Sequence, residues 1–518
     1  MAEYGIICLL PPLIAIIMAL LTKQTLLSLF VGVWAGATII GGWNPLVGFA
    51  TTFTDYIIPS MSDPWNAGML ILVSFAGGFM YMLRSSGASK AFARAITKKI
   101  KTRKQAQLLT WCSAFAFSYT EPCLILGTIM RPITEKMNIS RAKLAYILDS
   151  MGCSLSSFSP ICSYGPFITS LIAGQLLVIG SDANPWGIYF QMFPFNLYAM
   201  FNMLTVLLVI LMGLDVGKMY AEEKRAVETG ELYDKKDKPI ISDYEENIPK
   251  DYKLTIKNFL VPMITLFVTI FVVIFWTGDI VTNGFIGAFT NANIVLAIIC
   301  GFLAASIGAA IVAITTGLLK FNEAVEKWTD GVLQLMVIPM ILILAWSISG
   351  IATDMNVGTY LSEIANALSI NGIIPAILFI LSALIALATG SSWGTWSLLI
   401  PIAIPMAHNL ELGIPLMVGA VISGGLFGDQ VSPISDTTIL SSTASGCDLI
   451  VHVKTQLPYI SIVAIGAVCA FLVAGLFKTP IFVNMLISLV IILIGLNLLN
   501  RVAKRKELPN SKSVVVGK

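Results

Sequence analysis

The sequence predicts an all-α polytopic membrane fold with about eleven transmembrane helices, two re-entrant hairpins and two broken helices, arranged as an inverted repeat. Three observations predict it. Apolar residues make up 56% of the 518-residue chain and charged residues 12%, against about a quarter charged in a soluble protein. Continuous apolar runs such as 4–21, 25–41, 259–276, 294–319 and 482–498 approach or exceed the roughly 20 residues that cross a bilayer as a helix. They lack the alternation of short segments expected of a β-barrel. Finally, two sets of apolar stretches are interrupted by proline, glycine and hydroxyl residues in the same order in each half.

The spans read in chain order as 5–22, 25–43, 66–83, 142–180, 192–214, 258–277, 292–319, 331–353, 412–445, 457–477 and 480–500. The first lacks a basic leader and a small-residue cleavage site, so it reads as a retained span. Two stretches, 105–135 and 372–406, break near their middles, at Tyr119-Thr120-Glu121-Pro122 and at Thr389-Gly390-Ser391-Ser392-Trp393-Gly394. Proline withholds a backbone donor and glycine weakens a helix, so both stretches read as hairpins with mid-membrane tips. Spans 142–180 and 412–445 are too long for a simple crossing. Each contains a polar, proline-bearing interruption, at 154–166 and 424–438.

Charge sets the expected orientation. From Arg84 to Lys104 there are eight basic residues and no acid, which places that loop in the cytoplasm. Lys504, Arg505 and Lys506 place the tail there too, while Asp55 and Asp63 without a base suit an outside loop over 44–66. The N-terminus is expected outside and the C-terminus inside the cytoplasmic membrane of a prokaryote. The polar insert 215–257, with its Tyr233–Lys238 run, carries nine basic and eleven acidic residues and reads as a linker. The expected organisation is a membrane half over 1–214, the linker over 215–257, a second membrane half over 258–500 and a tail over 501–518.

The two halves match in order. Glu121 precedes Ser159 by 38 residues and Ser391 precedes Ser432 by 41, and a shift of about 273 residues superposes the flanking spans. Span parity makes the halves antiparallel. Inverted repeats with discontinuous helices are a signature of secondary transporters.

The densest chemistry lies in Gly428-Asp429-Gln430-Val431-Ser432-Pro433-Ile434-Ser435-Asp436-Thr437-Thr438. Carboxylates and hydroxyls at membrane depth are costly without partners or water. Broken helix ends supply carbonyls for a cation and amides for an anion. Ion or proton coupling is expected of Asp429, Asp436, Glu121 and Asp149. A sodium ion, which favours hard oxygen ligands, would draw on Asp429, Ser432, Asp436 and Thr437. Each aspartate can also simply cap a half-helix, and Asp149 can instead pair with Arg131 or Arg141. Substrate contacts are expected from Ser156, Ser157, Ser159, Tyr164, Ser391, Ser392, Thr395, Ser432, Ser435, Thr437 and Thr438, although membrane hydroxyls often only bond the preceding turn. Gly77-Gly78 and Gly424-Gly425 suit close helix packing.

Other classes are poorly supported. There is no basic domain for nucleic acid, no GxxxxGK[ST] phosphate loop and no repeated selectivity-filter motif. The eight cysteines and two histidines lack zinc-site spacing. No cofactor and no enzymatic role are expected.

The stretch Gly424 to Thr438, supported by 391–405 and 121–132, resembles the NhaC family of sodium/proton antiporters. The resemblance extends over nearly all of the chain. It implies an ion-transporter fold with inverted repeats and exchange of external protons for internal sodium. The family often carries a basic residue after the motif aspartate; Gln430 stands there in this chain and changes the charge balance. The family also includes carriers of organic anions and amino acids. Sodium, proton and membrane lipid are thus the expected partners. Coupled transport of a small organic solute and a homo-oligomer remain open alternatives.

Overall fold

A computed structural model describes residues 4–506, apart from 23, 89–90, 92–99, 119–121, 161, 235, 237–254 and 369. Glu121, residues 235 and 237–254 of the 215–257 linker, the centre of the 84–104 basic loop and the end of the C-terminal tail therefore lie outside the described residues. The described chain is helical throughout.

Among the described residues, eight helices are long and apolar enough to cross a membrane: Pro64–Ser85, Lys257–Thr277, Ile294–Thr315, Phe321–Asp354, Asn371–Thr389, Ile414–Val431, Leu449–Phe477 and Ile481–Arg501. The number rises to ten if two bent pairs each count as a span. Gly5–Ala19 and Tyr164–Val178 are shorter apolar helices. The sequence total of about eleven counted these, but it did not count Asn371–Thr389, which it read as a hairpin arm.

One expectation is corrected. The outside loop expected over 44–66 is largely helical, and Pro45–Ser62 folds back at 116° to Leu26–Ile40. Asn44 and Asp63 are caps, while Asp55 lies exposed within the helix and accepts the Thr54 hydroxyl. The Asn44 side chain accepts from the amides of Leu46 and Val47, and that of Asp63 accepts from Asn66. Pro45 and Pro64 each follow as the first helical residue, where a missing N–H costs nothing.

Helices from the two halves pair as a scaffold. Pro64–Ser85 packs on Ile294–Thr315 and Phe321–Gln334, and Thr25–Ile40 packs on Val337–Asp354. A Cβ on Gly77 would lie 2.4 Å from the Gly331 carbonyl oxygen, and one on Gly78 would strike the Trp328 indole. The expected close packing at this pair is present.

The interrupted segments are also present. The first hairpin joins Arg103–Ala116 to Pro122–Lys136, and the first broken helix joins Arg141–Phe158 to Tyr164–Val178. The second hairpin joins Ile374–Thr389 to Ser392–Asn409, and the second broken helix joins Ile414–Val431 to Asp436–Ser445. Each hairpin's second arm covers the distal half-helix of the other repeat. Pro122–Lys136 packs on Asp436–Ser445, and Ser392–Asn409 packs on Tyr164–Val178.

The hairpins enter from opposite ends. At the base of the first lies a basic cluster. Arg131 and Arg141 Nε both donate to Glu135 Oε1 at 3.0 Å, and Arg141 also donates to the Gly446 carbonyl at 3.1 Å. Arg103 donates to buried Glu223, whose other oxygen accepts the Ser140 amide at 2.7 Å. Lys143 Nζ bonds Asp215 at 2.6 Å. A cavity of about 550 Å³ opens among these groups. The base of the second hairpin packs at the far end, where Gly372 meets Gly475 and Leu476. The two hairpins are therefore antiparallel.

Candidate functional site

The second broken helix builds the site. Its first arm ends at Val431, and the Ser432 amide bonds the Asp429 carbonyl at 3.0 Å. Its second arm runs ten residues from Asp436 to Ser445, ending beside the basic cluster at Gly446. At 1.5 Å per residue, the break lies about 15 Å from that end, near the middle of a bilayer core. Two packing demands hold the break against the second hairpin. Gly390 has φ +65°, and a Cβ there would lie 2.8 Å from the Ile434 carbonyl oxygen. Only glycine meets both conditions. Gly428 approaches the Ala383 carbonyl so closely that a Cβ would lie 2.1 Å from its oxygen.

Asp429 is 1% exposed. Its Oδ2 accepts the Thr437 hydroxyl at 3.1 Å, while Oδ1 has no hydrogen-bond partner among the described residues. A buried carboxylate is normally fully bonded, so this oxygen is the chief anomaly of the site. Ser435 and Thr437 share a hydrogen bond at 3.0 Å, and the Thr437 amide donates to Asp436 at 2.8 Å. Asp436 is exposed.

Asp149 stands on the opposing first broken helix, 0% exposed. Counted from Arg141 it lies about 12 Å from the basic end, as does Thr438 counted back from Gly446. The Thr438 hydroxyl reaches Asp149 Oδ2 at 3.5 Å, and Gln456 Nε2 donates to the same oxygen at 2.9 Å. His452 Nε2 lies 3.2 Å from it, although the ring N–H points too far aside to form a hydrogen bond. Cys153 bridges the repeats, with Sγ 3.1 Å from the Thr437 hydroxyl and 3.6 Å from Asp149 Oδ1. Asp149 pairs with neither Arg131 nor Arg141, both of which are held by Glu135.

Gln430 anchors a neutral network beneath the carboxylates. Its Oε1 accepts from Tyr198 at 2.6 Å and Asn202 at 2.9 Å. Its Nε2 donates to Ser150 at 2.8 Å and Gln456 at 3.4 Å. A primary amide offers four such bonds, and all four are used.

The other expected residues divide into two groups. Ser392 meets Tyr164 at 3.3 Å, and the Tyr164 ring contacts Trp393 and Trp396 edge-on with centroids 4.6 and 5.0 Å away. This cluster joins the second hairpin tip to the first broken helix. The rest bond locally, except Ser157. Ser156 and Ser157 return to the Gly152 and Ser154 carbonyls, and the Ser157 hydroxyl also accepts from Asn196 Nδ2 at 2.8 Å. Ser159 accepts the Cys162 amide, Ser391 caps Gly394, and Thr395 bonds the Ser391 carbonyl. Ser432 accepts the Ile434 amide at 3.4 Å.

Sequence reading missed Cys153, His452 and Gln456. The last two are four residues apart on one helix face, in a stretch placed before the 457–477 span. Asp448 caps that helix, with its side chain accepting from Ile450 and Val451. An aspartate just before an apolar-periodic run is the start signal that would have brought both residues into the span.

The family model for the Na+/H+ antiporter family matches residues 155–476, which include the second hairpin and the second broken helix. The chain belongs to this family. A Haemophilus influenzae protein of uncharacterised function is 31% identical over 499 residues, covering 93% of this chain and 94% of that one. The Bacillus subtilis malate-2H+/Na+-lactate antiporter is 41% identical over 85 residues, 16% of this chain and 18% of that one. In fold, the Alcanivorax borkumensis YdaH transporter is similar with a TM-score of 0.60 at 13% identity, over 84% of this chain and 90% of that one. This Na+/H+ antiporter family member is a secondary active transporter that exchanges sodium and protons across a membrane by alternating access. Among the described residues there is no group of three or more His, Cys, Asp or Glu side chains able to hold a metal.

Proposed function

We propose that protons and sodium compete for Asp429, with Ser432, Asp436 and Thr437 completing the sodium site. The observation that carries this reading is Asp429 Oδ1, a buried carboxylate oxygen without a partner among the described residues at a mid-membrane helix break. Such an oxygen is satisfied either by a proton or by a cation, so one site serves both ions in turn. Asp149 is a second proton-coupling group, tied to the first through Thr438, Cys153 and Gln456. Glu121 at the first hairpin tip remains a proposed proton carrier.

The two halves over 1–214 and 258–500 rock about this site, joined by the 215–257 linker. The basic end, with Arg103, Arg131, Arg141 and Lys143, is read as cytoplasmic under the positive-inside rule. The N-terminus is then outside and the C-terminus inside the cytoplasmic membrane of a prokaryote.

A second reading is coupled transport of a small organic solute. The Bacillus subtilis relative's name supports it, as does the Ser392–Tyr164–Trp393 cluster beside the break. Ser156, Ser157, Ser159, Ser391, Thr395 and Ser435 would line its path. A homo-oligomer is compatible with both readings. Proteoliposomes with a lumenal pH dye separate them. A sodium jump alone should move protons under the first reading between pH 6 and 9. Proton movement only when a carboxylate or amino acid is added would replace it with the second.

A further inference from the structure

We infer that His452 and Asp149 form a proton-carrying pair in this transporter, separate from the shared sodium and proton site at Asp429. The inference rests on the antiport reading and adds a residue to it. Both side chains are 0% exposed, and they approach to 3.2 Å. Neither imidazole nitrogen of His452 has a hydrogen-bond partner among the described residues. A packed structural histidine normally bonds through at least one nitrogen. The imidazole stands 3.2 Å from the Asp149 carboxylate oxygen, and imidazole is the side chain that ordinarily titrates between pH 5 and 8.

The surroundings separate this pair from the sodium site. Asp149 Oδ2 already receives Gln456 and Thr438, so that oxygen is crowded by donors. Gln456 also donates to the Gln430 carbonyl at 2.8 Å, next in the chain to Asp429. The protonation state of the pair is thereby tied mechanically to the break. The other titratable groups nearby are Cys153 on the first broken helix, Asp429 across it, Cys123 on the first hairpin, Tyr198 on Leu197–Met212, and Tyr459 on the histidine's own helix. Tyr146 stacks on Tyr459 at 4.8 Å, and the Lys143 ammonium lies 5.8 Å from the Tyr459 ring. Lys143 is bound to Asp215. A proton carried inward sits on the imidazole or the carboxylate and is released from the pair toward the basic, cytoplasmic end.

Two measurements test the pair. In His408→Gln, His452 is the remaining histidine of the two in the chain, so its imidazole can be followed by nitrogen-15 NMR in full-length protein. The signal should change protonation between pH 6 and 9, and sodium should move its midpoint. An imidazole that keeps one protonation state throughout, with and without sodium, overturns the inference. In proteoliposomes, His452→Gln should retain sodium-driven flux within about two-fold at the alkaline end and lose one step from the pH profile. Asp149→Asn should flatten the profile similarly, and the double variant should match Asp149→Asn alone. A His452→Gln profile superposable on the wild type, or additive single effects, would also overturn it. Wild type without sodium-driven flux defeats the antiport reading alone, because the NMR titration still decides whether the pair takes up a proton.

Discussion

Asp429→Asn should abolish sodium-driven proton flux while leaving a folded protein in the membrane. Asparagine fills the same volume and can still accept the Thr437 hydroxyl, so the 3.1 Å bond and the Ser432 turn survive. What disappears is the charge. Removing even outer-shell partners of a bound metal costs about 10–100-fold in affinity, so losing a charged oxygen in direct contact should exceed a hundred-fold. The variant also cannot exchange a proton at this position. Flux in proteoliposomes measures the loss, and monodisperse elution in detergent establishes the fold. Near-wild-type flux would leave Asp429 with only its structural bond to Thr437.

Gln430→Leu should have the largest effect on stability. Leucine fits the volume but withdraws all four hydrogen bonds of the amide. Tyr198, Asn202, Ser150 and Gln456 would then each lose a partner in a buried setting. Stranding one buried polar group costs about 1–3 kcal/mol in soluble proteins, whereas interhelical bonds in membranes average about 0.6 kcal/mol because the unfolded helices find other partners. Four such bonds place the loss at roughly 2–4 kcal/mol by the same figures. A thermal melt in detergent should fall by several degrees, with part of the protein aggregating on extraction. An unchanged melt would mean that the network reorganises around the apolar side chain.

Much of the fold was legible because membrane helices announce their own interruptions. Gly390 followed by Ser391, and Ser432-Pro433, cannot continue a helix in lipid unless something satisfies the backbone. The order hairpin, broken helix, hairpin, broken helix therefore emerged from local chemistry. Asp429 was legible for the same reason, since a carboxylate at that depth needs a function or a partner. The 44–66 stretch misled because acids near a span end suggest solvent, whereas Asn44 and Asp63 cap helices that begin with proline. The assembled site was less legible. Asp149, Thr438, His452 and Gln456 come from three helices, and their meeting depends on the antiparallel register of the repeats. No local pattern encodes that register. Nor does sequence distinguish a serine facing a cavity from one returning to its own helix, as Ser156 does.

The central claim is that one buried carboxylate exchanges a proton for a sodium ion. Calorimetry of sodium binding to the purified wild type at a series of pH values between 6 and 9 tests it most directly. Competition at a single carboxylate weakens the apparent sodium affinity about tenfold for each pH unit on the acid side of its titration, and about one proton is released per sodium bound there. A sodium affinity that does not vary with pH, with no proton released on binding, would contradict the account.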